Sequence, residues 1–129
     1  MSGSACATPI AGLESSDQRL VYYYTFLPNM FLSLHPDYVL VHRGEPLSVG
    51  RTRIHCDWYF HPDAIAAEGF DPSGAIEFWD MTNRQDWELC AMSQQGIGSR
   101  AFRPGPYSEL ESQLAAFDRE YLRTMGDGE

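Results

Sequence analysis

The spacing of hydrophobic and polar positions changes once along the chain, near residue 61. Before that point, apolar and aromatic residues occur in short runs, LVYYYTFL at 20–27, MFLSLH at 30–35 and DYVLVHR at 37–43, with a break at Pro28-Asn29. Short runs rich in β-branched and aromatic residues are typical of antiparallel strands. RGEPLSVG at 43–50 carries Gly, Pro and Ser, and it predicts a connection to the next strand.

The segment RTRIHCDWYF at 51–60 alternates in a way that predicts a longer strand. Its two faces divide the side chains into Ile54, Cys56, Trp58 and Phe60 on one side and Arg53, His55, Asp57 and Tyr59 on the other. We expect the apolar face to pack on helices and the other face to meet solvent or a partner.

After residue 61 the period rises to about 3.6 residues, which predicts helices. HPDAIAAEG at 61–69 predicts a short helix closed by Gly69, and 71–96 predicts a longer one with Asp71 as N-cap and Pro72 at its first position, ended by Gly96 and Gly98. Steps of three and four residues place one stripe along the longer helix. That stripe contains Trp79, Asn83, Asp86, Cys90 and Ser93.

A last helix is predicted near the end of the chain. Ser108 and Glu111 form an S-x-x-E capping box after the RPGP connector at 103–106, and an apolar stripe that begins at Leu110 predicts docking. Strands followed by two sizeable helices indicate an α+β fold, an antiparallel sheet with helices on one face. We expect a flexible segment at 1–18, a folded part at 19–125 and a tail at 126–129.

Composition and charge exclude some classes of function. The formal net charge is −9, and the nine basic side chains are all Arg and are scattered, whereas a nucleic-acid-binding protein needs a basic stripe. The longest apolar stretch, 21–34, is too short for a bilayer span and contains Pro28, and the N-terminus lacks the pattern of a secretory signal. We therefore expect a cytoplasmic protein that binds neither nucleic acid nor membrane.

Asp86 is the candidate site residue, because a carboxylate on a partly apolar helix face needs a cation, a metal or several donors. Two interpretations stay open from the residues alone. Asp86 either pairs with Arg84, Arg100 or an arginine of the sheet or points to water, or it binds a divalent metal such as Fe(II). No two of the four histidines have the short helical spacing of a ligand pair, and the three cysteines form no metal motif. We expect Cys56 and Cys90 to be buried thiols.

The aromatic residues form a second candidate feature. They are Tyr22, Tyr23, Tyr24, Phe26, Trp58, Tyr59, Phe60, Trp79 and Trp87. By default they make a core. They could equally form the wall of an apolar ligand pocket between sheet and helix, and both interpretations can hold together.

Four longer strings carry a resemblance to a known family. They are YYYTFLPN at 22–29, VHRGEPLSVGRTRIHCDWYF at 41–60, FWDMTNRQDWELCAMSQQGIGSRAF at 78–102 and RPGPYSELE at 103–111. Over about residues 19–123 the chain resembles the C-terminal part of the catalytic domain of Rieske non-haem iron oxygenases, the α subunits of aromatic-ring-hydroxylating dioxygenases. The most specific elements are Pro28-Asn29, Gln85-Asp86 and Pro104-Gly105.

The resemblance implies a helix-grip sheet of the START type that holds a hydrophobic or aromatic substrate. It also implies a mononuclear Fe(II), bound by two histidines and one aspartate, that activates O2 with electrons from a Rieske [2Fe–2S] cluster. The family carries that cluster in an N-terminal domain, and a reductase or ferredoxin is the implied electron donor. By its motif, Asp86 resembles the aspartate ligand. Trp79, Asn83 and Cys90 would then lie near the substrate pocket.

The chain also departs from the family pattern, in which the cluster domain and the helix with both histidine ligands precede the matched region. Neither is found in these 129 residues. Three hypotheses follow: a fragment or split part of an oxygenase α subunit, a non-enzymatic module that binds hydrophobic ligands, and an interaction-only remnant that self-associates into a homo-oligomer. We favour the first.

Overall fold

The chain forms an antiparallel sheet followed by helices. The computed structural model describes residues 5–126, which belong to two compact units, Met1–Ala91 and Met92–Glu129. Four strands lie in chain order across the sheet, each antiparallel to the next. They are β1 (Tyr22–Phe26), β2 (Met30–Leu34), β3 (Val39–Ser48) and β4 (Arg51–Tyr59). The predicted α+β class is confirmed.

The predicted connection at 43–50 is wrong, because β3 continues to Ser48 and only Val49 and Gly50 link it to β4. Pairing between β2 and β3 ends at Arg43, so at Pro46 the strand has β4 as its neighbour on one side and is an edge on the other. Proline is tolerated at such edge positions. A register irregularity between Pro46 and Ser48 absorbs the extra residue. Gly and Pro therefore mark a bulged hairpin end.

The core lies on one face of the sheet, called here the inner face, which carries Leu40 and His42 of β3. These residues pair with Trp58 and Cys56 of β4, as the alternation in 51–60 predicted. Leu40 is fully buried. The cluster around it consists of Tyr38 and Ala75, with Cys6, Cys56, Trp58, Phe60 and Trp79 packed against them.

The helices follow the predicted order. Helix α1 spans Pro62–Ala66, and α2 spans Ser73–Ile97. The Asp71 carboxylate accepts bonds from both the backbone N and Oγ of Ser73, each at 2.9 Å, and so caps α2 as predicted. Helix α2 passes Gly96 and ends at Ile97, directly before Gly98, the second of the two glycines predicted at its end.

Helix α3 (Ser112–Met125) follows a short 3₁₀ turn, Glu109–Glu111. The predicted capping box is present, and the Glu111 carboxylate accepts a bond from the backbone N of Ser108 at 2.7 Å. Gly126, at φ 89°, closes the helix in the left-handed conformation that favours glycine. Docking of α3 through its apolar stripe stays a prediction.

The segment before β1 is held by backbone and carboxylate contacts. The backbone N of Cys6 donates to Asp37 Oδ2 at 2.8 Å, and Ile10 N donates to the carbonyl of Pro36 at 2.7 Å. A 3₁₀ turn, Asp17–Arg19, precedes β1. The division into 1–18, 19–125 and 126–129 stays a prediction, and residues 1–4 and 127–129 lie outside the described part.

The aromatic core is smaller than predicted. Trp58, Phe60 and Trp79 pack against the buried cluster, whereas the aromatic side chains of β1, namely Tyr22, Tyr23, Tyr24 and Phe26, are exposed. Tyr59 and Trp87 are exposed as well. The run of aromatics in β1 therefore reflects strand propensity more than burial. Within the described residues, no helix has both the length and the apolar character needed to cross a bilayer.

Candidate functional site

The inner face of the sheet holds α2 through polar contacts that begin at Trp79. Its indole Nε1 donates a hydrogen bond to the Tyr38 hydroxyl at 2.9 Å. The Trp79 ring also lies edge-on to the imidazoles of His35 and His42, with ring centroids 5.7 Å apart in both pairs. The hydrogen bond of the indole N–H and the two edge-on ring contacts form only when α2 is turned so that Trp79 faces the sheet. Together they fix the rotation of α2 about its own axis.

Asn83, one turn further along α2, makes the second set of contacts. It is buried, its Oδ1 lies 3.2 Å from His42 Nε2, and its Nδ2 donates to Cys56 Sγ at 3.6 Å. An amide oxygen only accepts, so in the neutral imidazole the proton is on Nε2 and Nδ1 is the acceptor. Asn83 thus links α2 to both β3 and β4.

Burial sets the protonation of the groups between sheet and helix. It lowers the pKa of His35 and of His42 below the ordinary value, and the hydrogen bond that His42 donates to Asn83 opposes the shift at His42. Burial also raises the pKa of the Cys56 thiol, and it raises the pKa of Tyr38 to about 12. The inner face therefore presents neutral imidazoles, a neutral thiol and a neutral phenol at pH 7.

Asp86 lies on the same stripe of α2 as Trp79 and Asn83, three residues after Asn83, which is about one turn. Its side chain is exposed. No ion pair of the described residues involves Asp86, and Arg84, one of its predicted partners, binds Asp80 instead at 2.7 Å. The ion-pair interpretation with Arg84 is thus excluded in this structure.

Cys90, the next residue of the stripe, is exposed, so the prediction of a buried thiol is wrong there. Cys56 is half-buried and satisfied by Asn83. The difference arises because the sheet covers α2 at Trp79 and Asn83, whereas Asp86 and Cys90 are exposed. The predicted stripe therefore has a covered half and an open half.

A mononuclear iron needs several N or O donors that converge on one point. Among residues 5–126, no three His, Cys, Asp or Glu side chains are grouped closely enough to hold a metal ion. Asp86 offers one carboxylate, which fits one coordination position and does not make a complete donor set. These residues alone do not form an iron site.

A comparison with known families decides the relationship. The model for the ring hydroxylating alpha subunit, catalytic domain, matches residues 1–127. The chain belongs to this family. Members of the family bind a mononuclear iron, and the four-stranded antiparallel sheet followed by helices is its helix-grip architecture.

Relatives within the family are oxygenase subunits. The chain is 36% identical over 83 residues, 64% of its length, to the glycine betaine monooxygenase oxygenase subunit of Pseudomonas aeruginosa. It is 38% identical over 100 residues, 77% of its length, to the subunit of the same name from Chromohalobacter salexigens. The matched regions are 19% and 22% of those proteins, so the chain spans about a fifth of the length of these relatives.

Sequence reasoning missed two residues that hold the helix, Tyr38 directly before β3 and His42 within it. Tyr38 and His42 bind Trp79 and Asn83, each 41 positions away in sequence. A signal for them was available in DYVLVH, where Tyr38, Leu40 and His42 alternate with Val39 and Val41 and so share one face. Of the other two histidines, His55 is half-buried beside Glu45, and His61 is exposed at the start of α1.

The Trp79–Tyr38 bond gives a testable coupling. Trp79→Phe and Tyr38→Phe each remove one partner, so a double-mutant cycle in urea should yield a coupling free energy of about 1 kcal/mol. Trp87→Phe, on the exposed part of the same helix, is the control and should show no coupling to Tyr38→Phe. A coupling near zero for Trp79 would mean that the indole does not hold the helix.

The two half-buried histidines predict a pH dependence of folding. Their pKa values are lowered in the folded state, so between that lowered pKa and the unfolded value of about 6.5 the unfolded chain binds more protons. The contribution of these histidines to the free energy of unfolding is therefore fully present above about pH 6.5. The free energy of unfolding should fall as the pH drops from there toward 5. Denaturant midpoints from pH 8 to 5 measure this, and His35→Gln with His42→Gln should flatten the slope. An unchanged slope in that double variant would contradict the assignment.

Proposed function

We propose that this chain supplies part of the catalytic domain of a Rieske-type oxygenase α subunit, in which Asp86 is the carboxylate ligand of a mononuclear Fe(II). When bound, the iron would activate O2, and a Rieske [2Fe–2S] cluster in another part of the oxygenase would deliver the electrons. Because the donor set in the described residues is incomplete, we derive no reaction step on the iron.

One observation carries this proposal: α2 is seated on the sheet by Trp79 and Asn83, while Asp86 follows on the same stripe and is exposed. A metal ligand needs a well-positioned backbone and a side chain open to the metal, and the seated helix and the exposed Asp86 side chain support that role. Asn83 and Trp79 would border the substrate side of this site. Cys90, also exposed on that stripe, would lie at its edge.

For the substrate we propose a small molecule with an N-methylated ammonium group. The support is that the relatives from Pseudomonas aeruginosa and Chromohalobacter salexigens are glycine betaine monooxygenase oxygenase subunits. Aromatic rings such as Trp79 suit such a cation, because its charge is attracted to the face of a ring. An aromatic substrate, as the resemblance implied, is the competing expectation.

A multicomponent oxygenase of this kind needs a reductase, either direct or through a ferredoxin. Monooxygenation of a C–H bond consumes O2, two electrons and two protons, and it yields the hydroxylated carbon and water. An N-hydroxymethyl product then releases formaldehyde, which provides a specific measurement. We propose an electron-delivering reductase as the protein partner.

A chimera tests the proposed function. This chain replaces the matching segment of the Pseudomonas aeruginosa subunit, and the purified chimera is supplied with that oxygenase's reductase, O2 and either glycine betaine or naphthalene. We expect oxygen uptake and formaldehyde with glycine betaine and no product with naphthalene.

Two results of the chimera experiment would contradict the proposal. Oxidation of naphthalene without oxidation of glycine betaine would overturn the substrate class. A folded chimera with iron and cluster bound that oxidises neither compound would overturn the catalytic role of this chain. The unmodified subunit serves as the positive control.

A further inference from the structure

A groove of about 340 Å³ lies on the outer face of the sheet, opposite to the face that holds α2. Side chains of the segment before β1, Leu13, Asp17 and Leu20, meet Tyr22 and Tyr24 there. Tyr22 of β1 pairs with Leu34 of β2, and Leu34 pairs with Val39 of β3, so these three side chains share one face of the sheet. Val39 is next to Leu40 in β3, so this face is opposite to the one that carries Leu40. The volume is at the lower end of the range of small-molecule sites, about 300–1,000 Å³.

The walls of the groove are fixed by hydrogen bonds. Ile10 N donates to the carbonyl of Pro36, and the 3₁₀ turn Asp17–Arg19 orders the chain just before β1. The Tyr22 hydroxyl donates to Asp17 Oδ1 at 2.8 Å, which joins the segment to the strand. Within the described residues this bond uses Oδ1 alone, so Oδ2 remains an acceptor for a ligand.

The charge of the lining favours a cation. Asp17 is the carboxylate of the lining, and no arginine is among the lining residues. His35 also contributes to the lining, but its imidazole stacks on Tyr38 at the inner face, with ring centroids 4.2 Å apart, and burial lowers its pKa, so the ring adds no positive charge to the groove at pH 7. The net charge of −9 adds a favourable long-range field.

We propose that this outer-face groove binds a small organic cation, an alkylammonium or quaternary ammonium group, with Asp17 as the counter-charge and the rings of Tyr22 and Tyr24 as its walls. Apolar side chains contact the alkyl groups of the cation, while the tyrosine rings and the Asp17 carboxylate attract its charge. A carboxylate alone or an apolar wall alone would bind only one of these two parts. The site is separate from Asp86 because it is on the other face of the sheet.

The experiment compares two ligands of nearly the same shape. The full chain, with tyrosine rings labelled for NMR, is titrated with choline and with 3,3-dimethylbutan-1-ol, in which carbon replaces the charged nitrogen. Choline should shift the ring signals of Tyr22 and Tyr24 saturably, and the neutral alcohol should bind about tenfold more weakly. No iron or reductase is needed, so the result is independent of the proposed oxygenase function.

Two variants test whether the Asp17 carboxylate causes the preference for choline over the neutral alcohol. Asp17→Asn keeps the shape and should bring the affinity for choline down to that of the alcohol. Asp63→Asn is the control, because it removes an exposed carboxylate that does not line the groove, and it should retain the preference for choline.

Any of four outcomes would overturn the proposal, the first three of which concern where and how choline binds. They are equal affinity for the two ligands, an unchanged preference in Asp17→Asn, and choline shifts at Tyr38 on the inner face without shifts at Tyr22 or Tyr24. Absence of any saturable shift with choline would overturn it too. None of these outcomes bears on Asp86, so the proposed function would stand or fall by its own experiment.

Discussion

Leu40→Ala is expected to lower the free energy of unfolding by about 2–5 kcal/mol. Leu40 is fully buried between Tyr38, Trp58 and Ala75, so its truncation removes apolar contact and leaves a cavity in the centre of the sheet–helix layer. Small domains have only about 5–15 kcal/mol of stability, so the loss is a large share of the total. Equilibrium unfolding in urea, followed by tryptophan fluorescence, measures it.

The matched control for Leu40 is Leu89→Ala on α2. Leu89 is 58% exposed, so its truncation should change the free energy of unfolding by no more than about 0.5 kcal/mol. Equal losses in the two variants would show that Leu40 is not the centre of the core. If Leu40→Ala cannot be refolded at all, Leu40→Val gives the smaller loss that the same cavity argument requires.

Asp86→Asn is expected to reduce turnover of the chimeric oxygenase by more than about 100-fold. Replacing a group that hydrogen-bonds to a metal ligand already costs about 10–100-fold in metal affinity or activity. Asp86→Asn removes the charge of the proposed ligand itself, so its effect should be larger. Asparagine keeps the size of the side chain, so folding should be unaffected. Initial rates of glycine betaine-dependent oxygen uptake provide the measurement.

Asp80→Asn is the matched control, because Asp80 is on the same helix, is exposed and pairs with Arg84. An exposed i,i+4 pair contributes only about 0.3–0.5 kcal/mol, so turnover should stay near that of the parent chimera. Turnover of Asp86→Asn that equals that of Asp80→Asn would remove Asp86 from the catalytic centre.

The elements of the fold could be predicted because their periodicities are strong. The alternation in 51–60 and the three- and four-residue steps in 71–96 each gave the correct type of element. The connection at 43–50 was predicted wrongly because Gly and Pro punctuate both loops and bulged strands. Only the pairing partner, here Thr52 opposite Pro46, distinguishes the two.

The site could be predicted only in part, because half of it depends on contacts that are distant in sequence. The stripe of α2 placed Trp79, Asn83 and Asp86 on one face from local spacing alone. The bonds from Tyr38 and His42 to that stripe arise from the packing of β3 against α2, and a 3.6-residue period carries no information on that packing.

Burial along α2 also depends on contacts that are distant in sequence. Asn83 and Cys90 have the same place in the helical pattern, yet Asn83 is buried and Cys90 is exposed, because the sheet covers the helix at Trp79 and Asn83. The role of Asp86 in iron binding came from the family resemblance. The residue pattern by itself gave an ion pair, a side chain that points to water and a metal ligand as alternatives, and the structure excludes the pair with Arg84 and leaves Asp86 exposed.

The central claim is that Asp86 supplies a ligand to iron, and the most direct measurement is the iron content of the chimeric subunit, purified anaerobically, in its parent, Asp86→Asn and Asp80→Asn forms. Visible absorption of the [2Fe–2S] cluster is recorded alongside, so that mononuclear iron is counted separately. We predict that Asp86→Asn loses the mononuclear iron and keeps the cluster absorption, while Asp80→Asn retains both. Mononuclear iron that is retained in full in Asp86→Asn would contradict the claim.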